Sequence, residues 1–514
     1  MEITVRLSYF IAMSGMCLVS AATFSSDYYR ANETINLTIH HHQDKFVYDD
    51  QWPVEKEAFH MTNVSLQNVT IIGGNDSAKA FQILMESSDL PDIVGGMNIK
   101  SNVNQFGPQG AFLALDDLIN THAPNIRAFL LRNPNLKRSI VASDGKLYFI
   151  PFFPDGKYAR GYFIRYDWLQ ALDLDVPQTV EELYTVLKAF KTQDPNGNGK
   201  ADEVPFFARQ PEELVRLVTL WDGRTTGSGA YHDFYIDNGN VTHGYAETNF
   251  MQGIKNLAKW YKEGLIDSEI FSRGNSARDE LLNSNRGGVT RDWFASTSSY
   301  NDTLSSKIDG FEFKAFAPPA SVSGKQVEED RRSPVLPEGW AISYSNSFPV
   351  ETIKYFDFWF TEQGQRLANF GVEGVHYDLI NGVPQFKPEV LNNKVPVSVQ
   401  MRAIGAQISR GVPQDYEYEK QWTNRHALEG ISAYDNGDYL LEPFLGVTLS
   451  ETEKAKYDQL WPSILSYMQQ MQKSWITGER KVEQDWENYI KVLDQLGYPR
   501  VIEAMQDAYD RQYK

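Results

Sequence analysis

Cysteine is nearly absent: Cys17 is the only one in 514 residues. A disulfide within the chain is thereby excluded, and so is a cysteine-rich metal site. Basic residues are in deficit, with 49 Lys and Arg against 67 Asp and Glu and a net charge of −18. That balance argues against nucleic acid as a partner, because a phosphate backbone needs cations. Long apolar runs are scarce as well. The one at Leu7–Val19 is too short to cross a bilayer comfortably. No Gly-x-Ser-x-Gly, His-Glu-x-x-His or Walker loop occurs, so these local enzyme signatures are missing.

Aromatic residues are plentiful, at 27 Tyr, 29 Phe and 11 Trp. Many must be core, but flat apolar rings are also what the C–H faces of a sugar lie against. The chain exceeds the roughly 250–300 residues at which one core stops growing, so at least two domains are expected. The amino terminus has the parts of a secretory signal: Arg6, the apolar Leu7–Val19, then Ser20-Ala21-Ala22. A leader over 1–22 and a periplasmic mature protein follow. Met16 stands where a lipid anchor on Cys17 would want a small residue, so cleavage is favoured over lipidation.

The segment Asp194-Pro-Asn-Gly-Asn-Gly-Lys-Ala-Asp-Glu203 carries oxygen side chains at its first, third, fifth, ninth and tenth positions. Gly199 is sixth, where a calcium loop turns sharply. Ca²⁺ takes about 6–8 oxygens in a flexible shell. Asp194, Asn196, Asn198, Asp202 and Glu203 offer side chains, and Lys200 a backbone carbonyl. The twelfth position, a bidentate Glu in an EF-hand loop, is Pro205, so Asp202 or Glu203 has to close the shell. A structural Ca²⁺ is the expectation.

Alternation predicts strands at 34–41 and 64–72 and a short buried strand at 90–96, with helices at 52–61 and 76–88 between them. Short strand–helix–strand connections imply a parallel α/β lobe, with ligands at the carboxyl ends of the strands. His40–His42 lie at such an end, but alternate residues face opposite ways, so no more than two could converge. Beyond a strand at 146–154 the chain turns helical. Thr179 and Glu182 begin one helix, and Ser450 and Glu453 another that ends at Leu460. Pro462 then opens a new helix. A strand at 311–319 serves as a second crossing between lobes.

The expected class is α/β, a discontinuous two-lobe plan with a helix-rich second lobe. Its parts are 23–153 and 316–404 in the first lobe, with 154–315 and 405–514 in the second. Such a cleft suits closure on a ligand.

Glu181–Phe190, Asp194–Phe206, Asp292–Thr297, Pro349–Lys354 and Ala508–Tyr513 resemble the bacterial extracellular solute-binding proteins of ABC importers. Within these they are most similar to the periplasmic alginate-oligosaccharide-binding group. The resemblance runs from about Ile35 to Tyr513. It implies a monomeric two-lobe protein that hands an acidic oligosaccharide to a membrane permease. It also implies Ca²⁺ on Asp194, Asn196, Asn198, Lys200, Asp202 and Glu203, away from the sugar, and Trp293 stacked on a sugar ring.

Departures bear on the ligand. A second cleft Trp of the group is missing in Gly411-Val412-Pro413, and Arg410 precedes that run. Arg291-Asp292-Trp293 replaces His-Asp-Trp, and Gly95-Gly96-Met97-Asn98 replaces Gly-Gly-Asp-Asn. Less stacking and more cation points to an anionic sugar, of alginate or glycosaminoglycan type, read by guanidinium groups. The candidate contacts are Trp293, Arg291, Asp292, Arg410, Gln407, Tyr377, Trp340, Arg160 and Asn98, with Arg224 behind them. The competing expectation is a secreted glycosidase or polysaccharide lyase, which would need paired carboxylates across the cleft.

Overall fold

Ile35, Leu37 and Ile39 share one face and build the strand Ile35–Gln43 into the first sheet. The computed structural model describes residues 28–43, 46–70, 76–87, 89–225, 234–441 and 443–514. The expected leader and Cys17 lie outside those residues. Ile35–Gln43 runs parallel to Val64–Asn68 and to Ile93–Gly96. Gly339–Ile342 then pairs antiparallel with Ile93–Gly96 and with Ile150–Pro151. Gly96 sits at φ +133°, and a Cβ there would lie 2.2 Å from the His42 carbonyl oxygen, so the strand end admits only glycine. Of the expected strand at 146–154, only Ile150–Pro151 pairs as a strand.

The second sheet runs in the order Phe313–Phe316, Arg160–Arg165, Gly287–Trp293, Val204–Phe206. Helices surround it. Thr179 accepts a hydrogen bond from the Glu182 amide and starts Val180–Thr192, whose Leu183, Val186, Leu187 and Phe190 are buried. Ser450 and Glu453 form the expected reciprocal cap. The helix they begin does not stop at Leu460. It runs from Glu451 to Ile476 with Pro462 inside it. Proline removes one backbone hydrogen bond there, but Trp461, Ile464, Met468, Met471 and Trp475 on one buried face carry the helix through. Among the described residues, no helix is long and apolar enough to cross a membrane.

Two sheets with separate cores make this the two-lobe α/β fold that was expected. The crossings differ from the expected boundaries. Phe313–Phe316 is a strand of the second sheet, and Ala320 still bridges Thr179 in that lobe. The second crossing comes later, where the Arg332 amide donates to Lys157 and the Leu336 amide to Phe152. The third lies at 411–416, where the Phe153 amide donates to Val412 and the Gln414 amide to Phe153. Ala406, Ile408 and Val412 belong to the first core. Three extended segments, hydrogen-bonded side by side, join the lobes. Sequence periodicity missed the middle one because its run Glu328-Glu-Asp-Arg-Arg332 looks like a solvated loop.

Candidate functional site: the gap between the lobes

The Gly287–Trp293 strand ends at the edge of the second sheet, where it turns into the short helix Phe294–Ser298. Trp293 is therefore left 42% exposed although its strand is central. Arg160, opposite it in register, lays its guanidinium 4.4 Å from the indole ring centroid. Asp292 is buried and saturated: Arg209 Nε donates at 2.7 Å, Arg278 Nη1 at 3.0 Å and the Trp293 amide at 2.7 Å.

Arg291 was expected to be free for a ligand. It is buried inside a cage of carboxylates: Glu328, Glu213 at 3.2 Å and Asp330 at 2.5 Å. Arg160 also pairs with Glu213, and Arg216 with Asp330 at 2.7 Å. Three cations thus meet three anions. Burial opposes the charge on Arg291, yet Glu328 and Asp330 outweigh it and hold the guanidinium well above its usual range. Burial likewise opposes ionised Asp330, but Arg216, Arg291 and Arg160 outweigh it and hold its carboxyl low.

Five other candidates are corrected by their surroundings. Arg410 is 1% exposed and pairs with Glu55 at 2.6 Å in the first core, its guanidinium 4.1 Å from the Trp359 ring centroid. Trp340 is 1% exposed and stacked on Phe356 at 4.3 Å. A Cβ at Gly411 would lie 2.6 Å from the Trp340 ring nitrogen, so the Gly411 run makes room for a core Trp. Tyr377 is buried on the hairpin Tyr377–Ile380 and Val383–Phe386, against Phe370. Arg224 pairs with Glu329 at 2.9 Å and covers the Tyr235 ring. Gln407 is used at the joint between lobes, donating to Asn369 Oδ1 at 2.8 Å and accepting from Gln414 at 2.9 Å.

Asn98 lies elsewhere along the gap. A cavity of about 760 Å³ opens there, walled by Ile99–Phe106 of the first lobe and by the start of Glu451–Ile476 of the second. Asn98, Gln105, Gln109 and Thr448 give it polar edges, and Leu336 and Val447 apolar ones. The lobes touch beside it, where Thr448 Oγ1 donates to the Val141 carbonyl at 2.7 Å. The buried Lys100 in this wall was not singled out from the sequence; the segment around it carries no local signature.

The Asp194–Glu203 segment lies on the second lobe, between Val180–Thr192 and Val204–Phe206. Asp194, Gly197 and Gly199 all have positive φ, which curls the segment around its own side chains. The Asn198 and Gly199 amides donate to Asp194 at 3.1 and 2.9 Å, and the Lys200 amide to Asn198 at 2.8 Å. Glu203 is buried and, among the described residues, neither carboxylate oxygen finds a hydrogen-bond partner. Burial, then Asp194 and Asp202, raise its pKa. A buried carboxylate without a hydrogen-bond partner, in a loop that also carries Asp and Asn oxygens, is a donor set that fits a hard cation. Among the described residues, no three His, Cys, Asp or Glu converge as a metal cluster. The other expected donors of this loop are Asn amides and a backbone carbonyl.

Two α/β lobes, three crossing segments and a walled gap between them define a two-lobed solute-binding protein. The profile of the bacterial extracellular solute-binding proteins matches residues 50–366, and the chain belongs to that family. A crystal structure of the alginate-binding protein AlgQ2 without calcium ion is 48% identical, covering 94% of this chain and 99% of its own, with a TM-score of 0.77. The fructooligosaccharide ABC transporter substrate-binding protein FusA of Streptococcus pneumoniae is 22% identical over 85% of this chain and 83% of itself. The polygalacturonan/rhamnogalacturonan-binding protein YtcQ of Bacillus subtilis is 24% identical over 63% of each.

Proposed function

We propose that this protein captures an acidic, uronate-containing oligosaccharide between its lobes and delivers it to the permease of an ABC importer outside the cytoplasmic membrane. The observation that carries the reading is the exposed Trp293, covered on one side by Arg160 at the end of its strand, in a chain 48% identical to an alginate-binding protein. An indole offers a sugar ring an apolar face, and the Arg160 guanidinium, itself paired with Glu213, backs that indole. Arg291 and Asp292 set that pair in place, and Asn98 contributes from the other lobe. Trp293→Ala is expected to weaken binding of alginate oligosaccharides roughly tenfold or more, ~1.4 kcal/mol. Calorimetry against alginate, pectic and glycosaminoglycan fragments reads this directly, and undiminished affinity in the variant would remove Trp293 from the site. Binding without turnover is part of the reading. New reducing ends or unsaturated products from purified protein, abolished by removing a cleft carboxylate, would make it a glycosidase or lyase instead.

Asp194, Asn196, Asn198, Lys200, Asp202 and Glu203 would hold a structural Ca²⁺, which would supply the positive charge that Glu203 lacks. Stripping a ligand present at about 100 times its Kd costs ~2.7 kcal/mol. A chelator should accordingly lower the melting temperature while leaving sugar affinity per folded molecule nearly unchanged. A chelated protein that keeps its melting temperature but loses the sugar would place the ion in the cleft.

A further inference from the structure

Lys100 is the second residue of the Ile99–Phe106 helix, and it lines the inter-lobe cavity while being 8% exposed. Its backbone amide donates to the Pro337 carbonyl at 3.0 Å, which fixes the residue against a crossing segment. Among the described residues, no acidic side chain forms an ion pair with its ammonium, and burial alone shifts it, pulling its pKa down to about 8. The other charges of the wall are accounted for: Lys454 pairs with Asp458 along one helix, and Glu451 is exposed. The position is unfavourable for the helix too, because a cation in the first turn opposes the backbone dipole. A buried ammonium without a counter-charge is costly. That cost falls if an anion arrives from outside. The cavity is of a size that holds small ligands, and both lobes wall it.

We infer that Lys100 is the specificity residue for the ligand's acidic group: it receives a sugar carboxylate or sulfate in the cavity between the lobes. The inference rests on the oligosaccharide reading above and sharpens it. Arg160, Arg216 and Arg291 are already matched by carboxylates, whereas Lys100 is left for the ligand. A neutral sugar filling the same cavity would leave the ammonium uncompensated, so discrimination against neutral sugars follows from the same residue.

The test is calorimetry on the mature chain and on Lys100→Gln. The ligands are an alginate oligosaccharide, its carboxyl-reduced neutral form, and a sulfated, carboxyl-reduced saccharide. The wild type should favour an acidic ligand, and Lys100→Gln should lose about 10- to 100-fold on that ligand and little on the neutral one. The charged ligand on which the loss falls identifies carboxylate or sulfate as the group received. Melting temperature should hold or rise, since an amide replaces a buried charge. Should glutamine lower it, Lys100→Met, which keeps the apolar stem, repeats the comparison. Wild-type affinity for the acidic ligand in these variants overturns the role of Lys100 alone. A wild type that takes the neutral form as tightly as the acidic ones overturns the oligosaccharide reading and this inference together.

Discussion

Replacing Arg410 with methionine should cost about 3–5 kcal/mol of stability and leave sugar affinity per folded molecule unchanged. The guanidinium is 1% exposed, donates to the Gly405 carbonyl at 2.8 Å and pairs with Glu55 at 2.6 Å. Its flat face lies on Trp359. Removing it strands the Glu55 carboxylate among apolar neighbours. Two tyrosines report how dry that place is. Burial first, and then the Glu55 charge, push the hydroxyls of Tyr48 and Tyr355 well above their usual range. A charge left there has no counter-charge and no water, with only the Tyr48 hydroxyl beside it. The paired substitution Glu55→Leu with Arg410→Met should recover most of the loss, because a buried ion pair exchanged for apolar side chains is often neutral or better. Denaturant melts of the two single variants and the double variant form the cycle that separates pairing from packing. Unchanged stability in Arg410→Met would show the pair contributes nothing. A tenfold loss of sugar binding at unchanged stability would return Arg410 to the cleft.

The contrast between Arg410 and Trp293 shows what a sequence can disclose. Alternation at Ile35, Leu37 and Ile39 specifies a strand with a buried face, because side-chain direction is set by backbone geometry. The caps at Thr179 and Ser450 are equally local, and both are made. The lobes follow from such elements in order. Whether a large side chain ends up covered is a long-range matter. Trp293 and Trp340 each sit in a strand. One is left open by a strand end and the other is closed over by Phe356, from a helix later in the chain. The partner of Arg410 is Glu55, from the opposite end of the first lobe, and no spacing near Arg410 announces it. Charge gained at a cleft-bearing segment therefore misled: a cation in a sequence does not show whether its counter-charge comes from ligand or protein. Lys100 was silent for the same reason, since only the fold shows that no described acidic residue pairs with it.

Arg291→Met should be the more damaging change at neutral pH and the more forgiving at acid pH. Arg291 is enclosed by Glu213, Glu328 and Asp330, with Arg160 and Arg216 outside them. Without it, two cations face three carboxylates, and a cost of about 3–5 kcal/mol is expected near pH 7. The direction with pH follows from proton binding. In the wild type Asp330 is held low by its arginines, so its share of stability is present above its unfolded value and is lost as pH falls through the lower folded one. Burial raises Glu328, and Arg291 pulls it the other way. Removing Arg291 lets both carboxyls rise. The variant's native state then binds more protons than its unfolded state above about pH 4, where free carboxyls ionise. Its stability must fall as pH climbs through that window. The deficit against wild type should accordingly be larger at pH 7.5 than at pH 5, as read from denaturant midpoints at the two values. Glu328→Gln added to Arg291→Met should restore part of the loss at pH 7.5 and little at pH 5, since the group it neutralises is then already protonated. An equal deficit at both pH values would mean that Arg291 acts through packing, and that the cage is not what holds Arg160 over Trp293.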